Sequence, residues 1–223
     1  GFYVTYDYDV AGNVTAIREN GATSGVGVLA SYSYDNLGRR TGITRGNGTT
    51  TSYGFDSASR LNATTQNLAG TVHDVTIGSF AYNPAGQIVS QVRSNDSYAW
   101  TGHYNVNRNY TVNGLNQQTA AGATALGYDG RGNLTSSGAS TYGYNRLNQM
   151  VTAPGGVSLA YDPDGRLSQL TAPGGTTRFA YAGTAMIQET NGSGIILRRH
   201  VPGPGVDEPV VWYEGSGTAD RRW

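Results

Sequence analysis

The sequence predicts a nearly all-β protein, a long antiparallel meander in which hairpin follows hairpin through tight turns. Three observations carry that prediction. A short motif recurs along the chain: an aromatic residue, a spacer, Tyr and Asp, then Gly three residues after the Asp. Gly or Pro interrupts every window long enough to hold a helix, and the best helical stretch, Asp56 to Leu61, is too short to matter. The segments between turns are rich in Tyr, Thr, Val and Ile, which suit the pleated surface of a strand.

The motif is clearest at Tyr161-Asp162-Pro163-Asp164-Gly165-Arg166-Leu167. Asp opening the turn and Pro in second place are the signature of a type I turn, with Asp162 placed to accept the turn's own amides. Gly165 supplies the left-handed residue that closes a three-residue hairpin loop. In chain order the same unit appears at Tyr8-Asp9 with Gly12, Tyr34-Asp35 with Gly38, and Phe55-Asp56 with Ser59. It continues at Tyr82-Asn83 with Gly86, Val112-Asn113 with Asn116, Tyr128-Asp129 with Gly132, and Tyr144-Asn145 with Asn148. After the Asp162 unit a last copy at Tyr181 lacks the Asp and leads to Ala185. Asn at 116 and 148 is the next most tolerant residue of the left-handed region, whereas Ser59 and Ala185 imply strained turns or turns of another type. A unit that cannot bury its apolar face alone must stack on its neighbours, so these repeats outrank every other signal in the chain.

Between the units lies a second class of hairpin turn: Asn47-Gly48, Ala69-Gly70, Ala121-Gly122, Ser137-Gly138, Pro154-Gly155-Gly156, Pro173-Gly174-Gly175 and Asn191-Gly192. Longer inserts run over Asn20 to Leu29, Leu68 to Ile77 and Asn95 to Arg108, the last with Trp100 and His103 as a loop over the sheet. The aromatics Tyr8, Tyr34, Phe55, Tyr82, Tyr128, Tyr144, Tyr161 and Tyr181 form a ladder on one sheet face, though the sequence does not say which face.

The quoted residues resemble the YD-repeat (RHS-repeat) family of bacterial polymorphic toxins, toxin-complex C subunits and animal teneurins. The matching pattern, aromatic-x-Tyr-Asp-x-x-Gly-Arg/Asn-Leu, covers nearly all of residues 3 to 190. The run Arg198-Arg199-His200-Val201-Pro202-Gly203-Pro204-Gly205-Val206-Asp207-Glu208-Pro209 looks like the start of the core segment that follows such repeats. The resemblance implies repeats over 1–190 and a truncated core segment over 191–223, with the sheet wound as a spiral into part of a hollow shell. It implies a non-catalytic scaffold that encloses and delivers a C-terminal toxin or effector of the same polypeptide, working with secretion-system components in interbacterial or host-directed competition. A secreted or cell-surface location follows from the same resemblance. The alternative function is a surface fibre or adhesion module that binds glycans through exposed Tyr and Asn.

Composition narrows the field further. The charge is balanced at 15 basic and 15 acidic residues, so no field steers nucleic acid or an anionic membrane to the chain. No stretch approaches the length of an apolar membrane span. Cys is absent, which removes disulfides and thiol chemistry, and every basic residue is Arg. The start at Gly1-Phe2 and the end at Arg222-Trp223 read as cuts into a longer protein.

Catalysis and metal binding find no candidate. Asp162 and Asp164 could be read as paired carboxylates, but the same Asp recurs at 9, 35, 56 and 129 in the same turn context, which is a structural role. Asp162 to Gly165 lacks the distant bidentate Glu of a calcium loop. His73, His103 and His200 stand apart without companions at ligand spacing, and no cofactor is implied. The expected site is therefore structural, consisting of the turn residues Asp9, Gly12, Asp35, Gly38, Asp56, Asn83, Gly86, Asp129, Gly132, Asn148, Asp162 and Gly165 with the aromatic ladder. Unpaired strand edges without Lys to blunt them imply edge-to-edge self-association.

Overall fold

The computed structural model describes every residue except His103, Tyr104 and Val106. Regular structure is almost all strand, broken among the described residues only by single-turn 3-10 segments at Gly25–Gly27, Thr71–His73 and Asp96–Tyr98. Those segments sit in the three long inserts. Two inserts are shorter than the sequence suggests, because β3 begins at Val28 and β7 at Val75. The stretch Asp56 to Leu61 is a hairpin turn.

Contacts divide the chain into two units: Gly1–Gly102 with Val201–Trp212 and Arg221–Trp223, and His103–His200 with Tyr213–Asp220. The first contains an eight-stranded antiparallel sheet in strict chain order. Its strands are β1 (Val4–Tyr8), β2 (Val14–Glu19), β3 (Val28–Tyr34), β4 (Arg40–Arg45), β5 (Thr50–Phe55), β6 (Leu61–Asn67), β7 (Val75–Tyr82) and β8 (Ile88–Arg93). In the second unit β9 (Tyr110–Val112), β10 (Gln118–Ala121), β11 (Thr124–Tyr128), β12 (Leu134–Ser137) and β13 (Ser140–Thr141) pair in sequence. A further meander there runs through β14 (Gly143–Tyr144), β15 (Met150–Ala153), β16 (Val157–Tyr161), β17 (Leu167–Ala172), β18 (Gly175–Ala182) and β19 (Ala185–Asn191) to β20 (Ile196–Pro202). The strand β21 (Pro209–Glu214), like β20, has residues in both units.

Every repeat hairpin carries the same irregularity. Tyr8 opposes Val14 while Asp7 opposes Ala16, so Thr15 is an extra residue on the second strand. The same extra residue is Thr41, Asn62, Thr135, Val151 and Ser168 in later units. A bulge resets the alternation of faces, so apolar residues three apart in sequence share a face. Leu167 and Leu170, opposing Tyr161 and Leu159, are such a pair. In the first unit this device puts Val14 and Ile17 with Tyr8 and Tyr6, and the row continues through Ala30, Tyr32, Ile43 and Thr51 by direct pairing. Ile17, Ala30, Tyr32, Ile43 and Thr51 are all buried.

Candidate functional site

The turns are the most repeated chemistry in the chain. At Asp162 the backbone closes twice, from the Asp162 amide to the Arg166 carbonyl at 2.9 Å and from the Gly165 amide to the Asp162 carbonyl at 3.0 Å. The carboxylate then grips the turn from inside. Oδ1 accepts the Arg166 amide at 2.9 Å, and Oδ2 accepts Arg166 Nε at 2.7 Å. Asp9, Asp35, Asp56, Asn83, Asn113, Asp129 and Asn145 close the same backbone pair. In each of them Oδ1 accepts the amides two and four residues on. The fourth turn residue is left-handed throughout: φ is +85° at Gly12, +74° at Gly38, +77° at Gly86, +89° at Gly132 and +82° at Gly165.

The deviant turns resolve in two ways. Ser59 keeps the common turn and adopts φ +62°, as Asn116 and Asn148 do at +59° and +61°. Its hydroxyl accepts Arg39 Nη1 at 3.0 Å, a contact Gly would not offer. Ala185 belongs to another type, a two-residue loop in which Ala182 opposes Ala185 and Gly183 takes φ +59°. Asn191, assigned from sequence to the second turn class, forms the full clasp with Gly194 at +83°.

The motif's Arg and its second aromatic prove to be two halves of one joint between successive units. The Tyr34 hydroxyl donates to the Val14 carbonyl at 2.8 Å, five residues past Asp9 in the preceding unit. The same offset takes Tyr128 to Gln118, Tyr161 to Met150 and Tyr181 to Leu167, each at 2.8 Å, and Tyr82 to Leu61. The clasped Arg lies over the next aromatic: Arg39 over Phe55 at 4.6 Å, Arg60 over Tyr82 at 4.4 Å and Arg166 over Tyr181 at 4.9 Å. Each ladder aromatic that precedes a clasp is opposed by the residue after it, as Tyr8 is by Val14, and not by another ring. Tyr8 is exposed and the other ladder aromatics are half-buried. This joint was not read from sequence because its members lie some 10 to 20 residues apart; the fixed offset from each Asp was the available signal.

The clasps account for the carboxylates. The bonds from the Asn13 side chain and the Arg39 guanidinium hold Asp9 and Asp35 below the ordinary 3.8. The Arg60 amide does so for Asp56, and the Asn133 side chain for Asp129. Burial pushes Asp162 upward, yet the Arg166 amide and guanidinium outweigh it and the net shift is down. Asp162 and Asp164 both turn to Arg166, at 2.7 and 3.0 Å, with Asp164 exposed.

In the first unit the tyrosine face is covered by the segment Val201–Trp212. Tyr6 donates to the Pro202 carbonyl at 2.9 Å, and Arg40 meets Glu208 at 2.6 Å while lying over the Tyr32 and Tyr53 rings at 5.6 and 5.5 Å. Val201, Val210 and Val211 are buried. Arg221 clamps the buried Glu19 through Nε and Nη2 at 2.8 to 3.1 Å. Tyr32 is 7% exposed, and its hydroxyl has no hydrogen-bond partner among the described residues; burial, then the Glu208 charge, pushes its ionisation up. At the rim, Tyr6, Tyr8, Asn13, Val14, Tyr34 and Pro204 line much of a groove of about 490 Å³. The hydroxyls of Tyr6 and Tyr34 and the Asn13 amide are already bonded internally.

In the second unit His200 Nε2 lies 2.8 Å from Glu189 Oε1, and Arg198 joins Glu189 to Glu214 at 3.0 and 3.2 Å. Sequence spacing did not reveal this group because a hairpin separates its members. No cluster of three or more His, Cys, Asp or Glu suited to a metal ion occurs among the described residues, and His103 lies outside them. Among the described residues no helix is long and apolar enough to cross a membrane.

Residues 8–50 match the family model described as RHS Repeat. No curated protein matches the chain. Among solved structures, TcdB2-TccC3-TEV is similar at 18% identity and a TM-score of 0.41, over 94% of this chain and 13% of that one. The Photorhabdus luminescens Tc holotoxin pore with mutated TccC3 is similar at 17% identity and 0.43, over 98% of this chain and 14% of that one. The chain thus spans about an eighth of the length of the chains it resembles.

Proposed function

We propose, from the premise that residues 8–50 are an RHS repeat, that the chain is a non-catalytic segment of a protein shell that encloses and delivers a C-terminal toxin or effector of the same polypeptide. On this reading residues 1–190 are repeats, 191–223 begin a core segment, and the whole protein acts outside the cell or at its surface. The observation that carries the reading is the covered tyrosine face. The sheet buries Ile17, Ala30, Tyr32 and Ile43 on the side where Val201–Trp212 lies, and the segment is tied there by Tyr6 and Arg40. A sheet that turns its aromatic face toward its own chain is suited to forming a wall. The repeated geometry of the clasps at Asp9, Asp35, Asp56, Asp129 and Asp162 supports a structural role for these carboxylates over a catalytic one.

Limited proteolysis of the longer protein tests the proposal. A C-terminal domain attached to the repeats is expected to resist digestion far longer than the same domain freed from them. Equal digestion rates would reject enclosure and favour the surface-binding alternative.

A further inference from the structure

The residue four places after the first turn residue decides how each clasp is finished. Behind Asp it is a donor to Oδ2. Asn13 and Asn133 give Nδ2 to Asp9 and Asp129 at 2.9 Å, and Arg39, Arg60 and Arg166 give Nε to Asp35, Asp56 and Asp162 at 2.7 to 2.8 Å. Behind Asn it is a Gln whose Oε1 accepts the carboxamide Nδ2. Asn83 meets Gln87 at 2.7 Å, Asn113 meets Gln117 at 2.8 Å and Asn145 meets Gln149 at 2.7 Å. Asn191 is the exception. Ile195 stands four places after it, and Asn191 Nδ2 has no partner among the described residues. We propose that Asn191 is a modification site, at which the folded chain spontaneously loses a side-chain amide as ammonia.

Three features of the turn present the reacting atoms. Asn191 Oδ1 accepts the amides of Ser193 at 3.0 Å and Ile195 at 2.9 Å, which curls the carboxamide back over its own following peptide bond. The next residue is Gly192, whose amide has no partner among the described residues and which has no side chain to resist rotation. The leaving nitrogen, Nδ2, is not pinned. In the reaction the Gly192 nitrogen bonds to Asn191 Cγ, and negative charge gathers on Oδ1, where two amides already point. The Cγ–Nδ2 bond then breaks, the Gly192 amide proton passes through water to the departing nitrogen, and ammonia leaves. Water opens the cyclic imide that remains. Attack at Cγ leaves aspartate in the chain, and attack at the main-chain carbonyl leaves isoaspartate. Aspartate suits the clasp that Asp9 and Asp162 already form, whereas isoaspartate lengthens the main chain and breaks it.

Asn-Gly also occurs at Asn20, Asn47 and Asn113, and each of these lacks one feature. Asn113 has the clasp, but its Nδ2 is held by Gln117. At Asn47 the attacking amide is spent, because Gly48 N closes the turn on the Arg45 carbonyl at 2.8 Å. Asn20 turns its Oδ1 away, to the Tyr3 amide at 3.0 Å. All the groups that set Asn191 apart lie within its own turn.

Peptide mapping of the whole folded chain, aged in mildly alkaline buffer, reads each Asn-Gly pair through the small mass gain of amide-to-acid conversion. The same chain unfolded in guanidinium supplies a reference rate for each pair, so the folded-to-unfolded ratio removes the effect of local sequence. Asn191 is expected to show the largest ratio. Ile195→Gln, at a position 63% exposed, supplies the missing acceptor and should slow Asn191 about 3- to 10-fold, the effect of one hydrogen bond. Gln117→Leu removes that acceptor from Asn113 and should speed it by a similar factor. A larger ratio at Asn20, Asn47 or Asn113 in the unaltered chain would overturn the proposal. So would an Asn191 rate that Ile195→Gln leaves unchanged, or an Asn113 rate that Gln117→Leu leaves unchanged.

Discussion

The joint makes a reciprocal prediction at Tyr161 and Phe55. Tyr161 donates its hydroxyl to the Met150 carbonyl at 2.8 Å across half-buried surface. Tyr161→Phe keeps the ring and removes only that donor, leaving a carbonyl beside a bulge to find water. The expected cost is about 1 kcal/mol. Phe55 is the natural counterpart, a ladder position with no hydroxyl, and the carbonyl at the matching offset from Asp35 is that of Arg40. Phe55→Tyr is therefore expected to stabilise, by about 0.5–1 kcal/mol. With a urea dependence of about 1–3 kcal/mol per molar, the two substitutions move the midpoint in opposite directions by roughly 0.2–1 M. Urea melts followed by far-ultraviolet circular dichroism read both shifts. The joint would be refuted if Tyr161→Phe left the midpoint unchanged and Phe55→Tyr lowered it.

Other expectations follow from the turns and the ion pairs. Gly165→Val should cost about 1–3 kcal/mol, because a β-branched residue resists the φ of +82°, while Asn148→Gly should be close to neutral; equal losses in urea would contradict the left-handed role. The carboxylates of Asp9, Asp35, Asp56, Asp129 and Asp162 are held below 3.8, so the stability they add is present above that value. It is lost as the pH falls through their lower folded values. Replacing all five by Asn should flatten the acid limb of a stability–pH curve, and an unchanged limb would show that other groups control it. Glu19→Gln removes the carboxylate charge that Arg221 clamps at a site 8% exposed, and should cost about 3 kcal/mol in thermal or urea unfolding. A loss near zero would mean that the ion pair is idle.

Much of the fold was legible because the turn chemistry is explicit. Asp or Asn followed by Gly three residues on has one economical solution, and the structure repeats it from Asp9 to Asp162. What lay beyond the sequence came from contacts that no local rule encodes. The bulge after each turn makes Leu167 and Leu170 neighbours on one face, a spacing of three that ordinarily signals a helix. Arg166 is held by Asp162 and lies over Tyr181, contacts that the motif's spacing does not announce. The sequence leaves the sheet face of the tyrosines open; in the first unit Val201–Trp212 lies on the face of Tyr6 and the buried Tyr32, tied there by Tyr6 and by Glu208 to Arg40. Ser59 showed the limit of reading φ from residue type, since one side-chain bond from Arg39 accompanies a conformation Gly would adopt freely.

The repeated Asp is a lock on its own turn. Amide hydrogen exchange in the folded chain measures that most directly. The amides of Asp162, Gly165 and Arg166, although on a surface turn, should be protected to the level of Leu170 in the adjoining strand, and Asp162→Ala should release Arg166 first. Turn amides that exchange at the rate of an open loop in the unaltered chain would contradict the account.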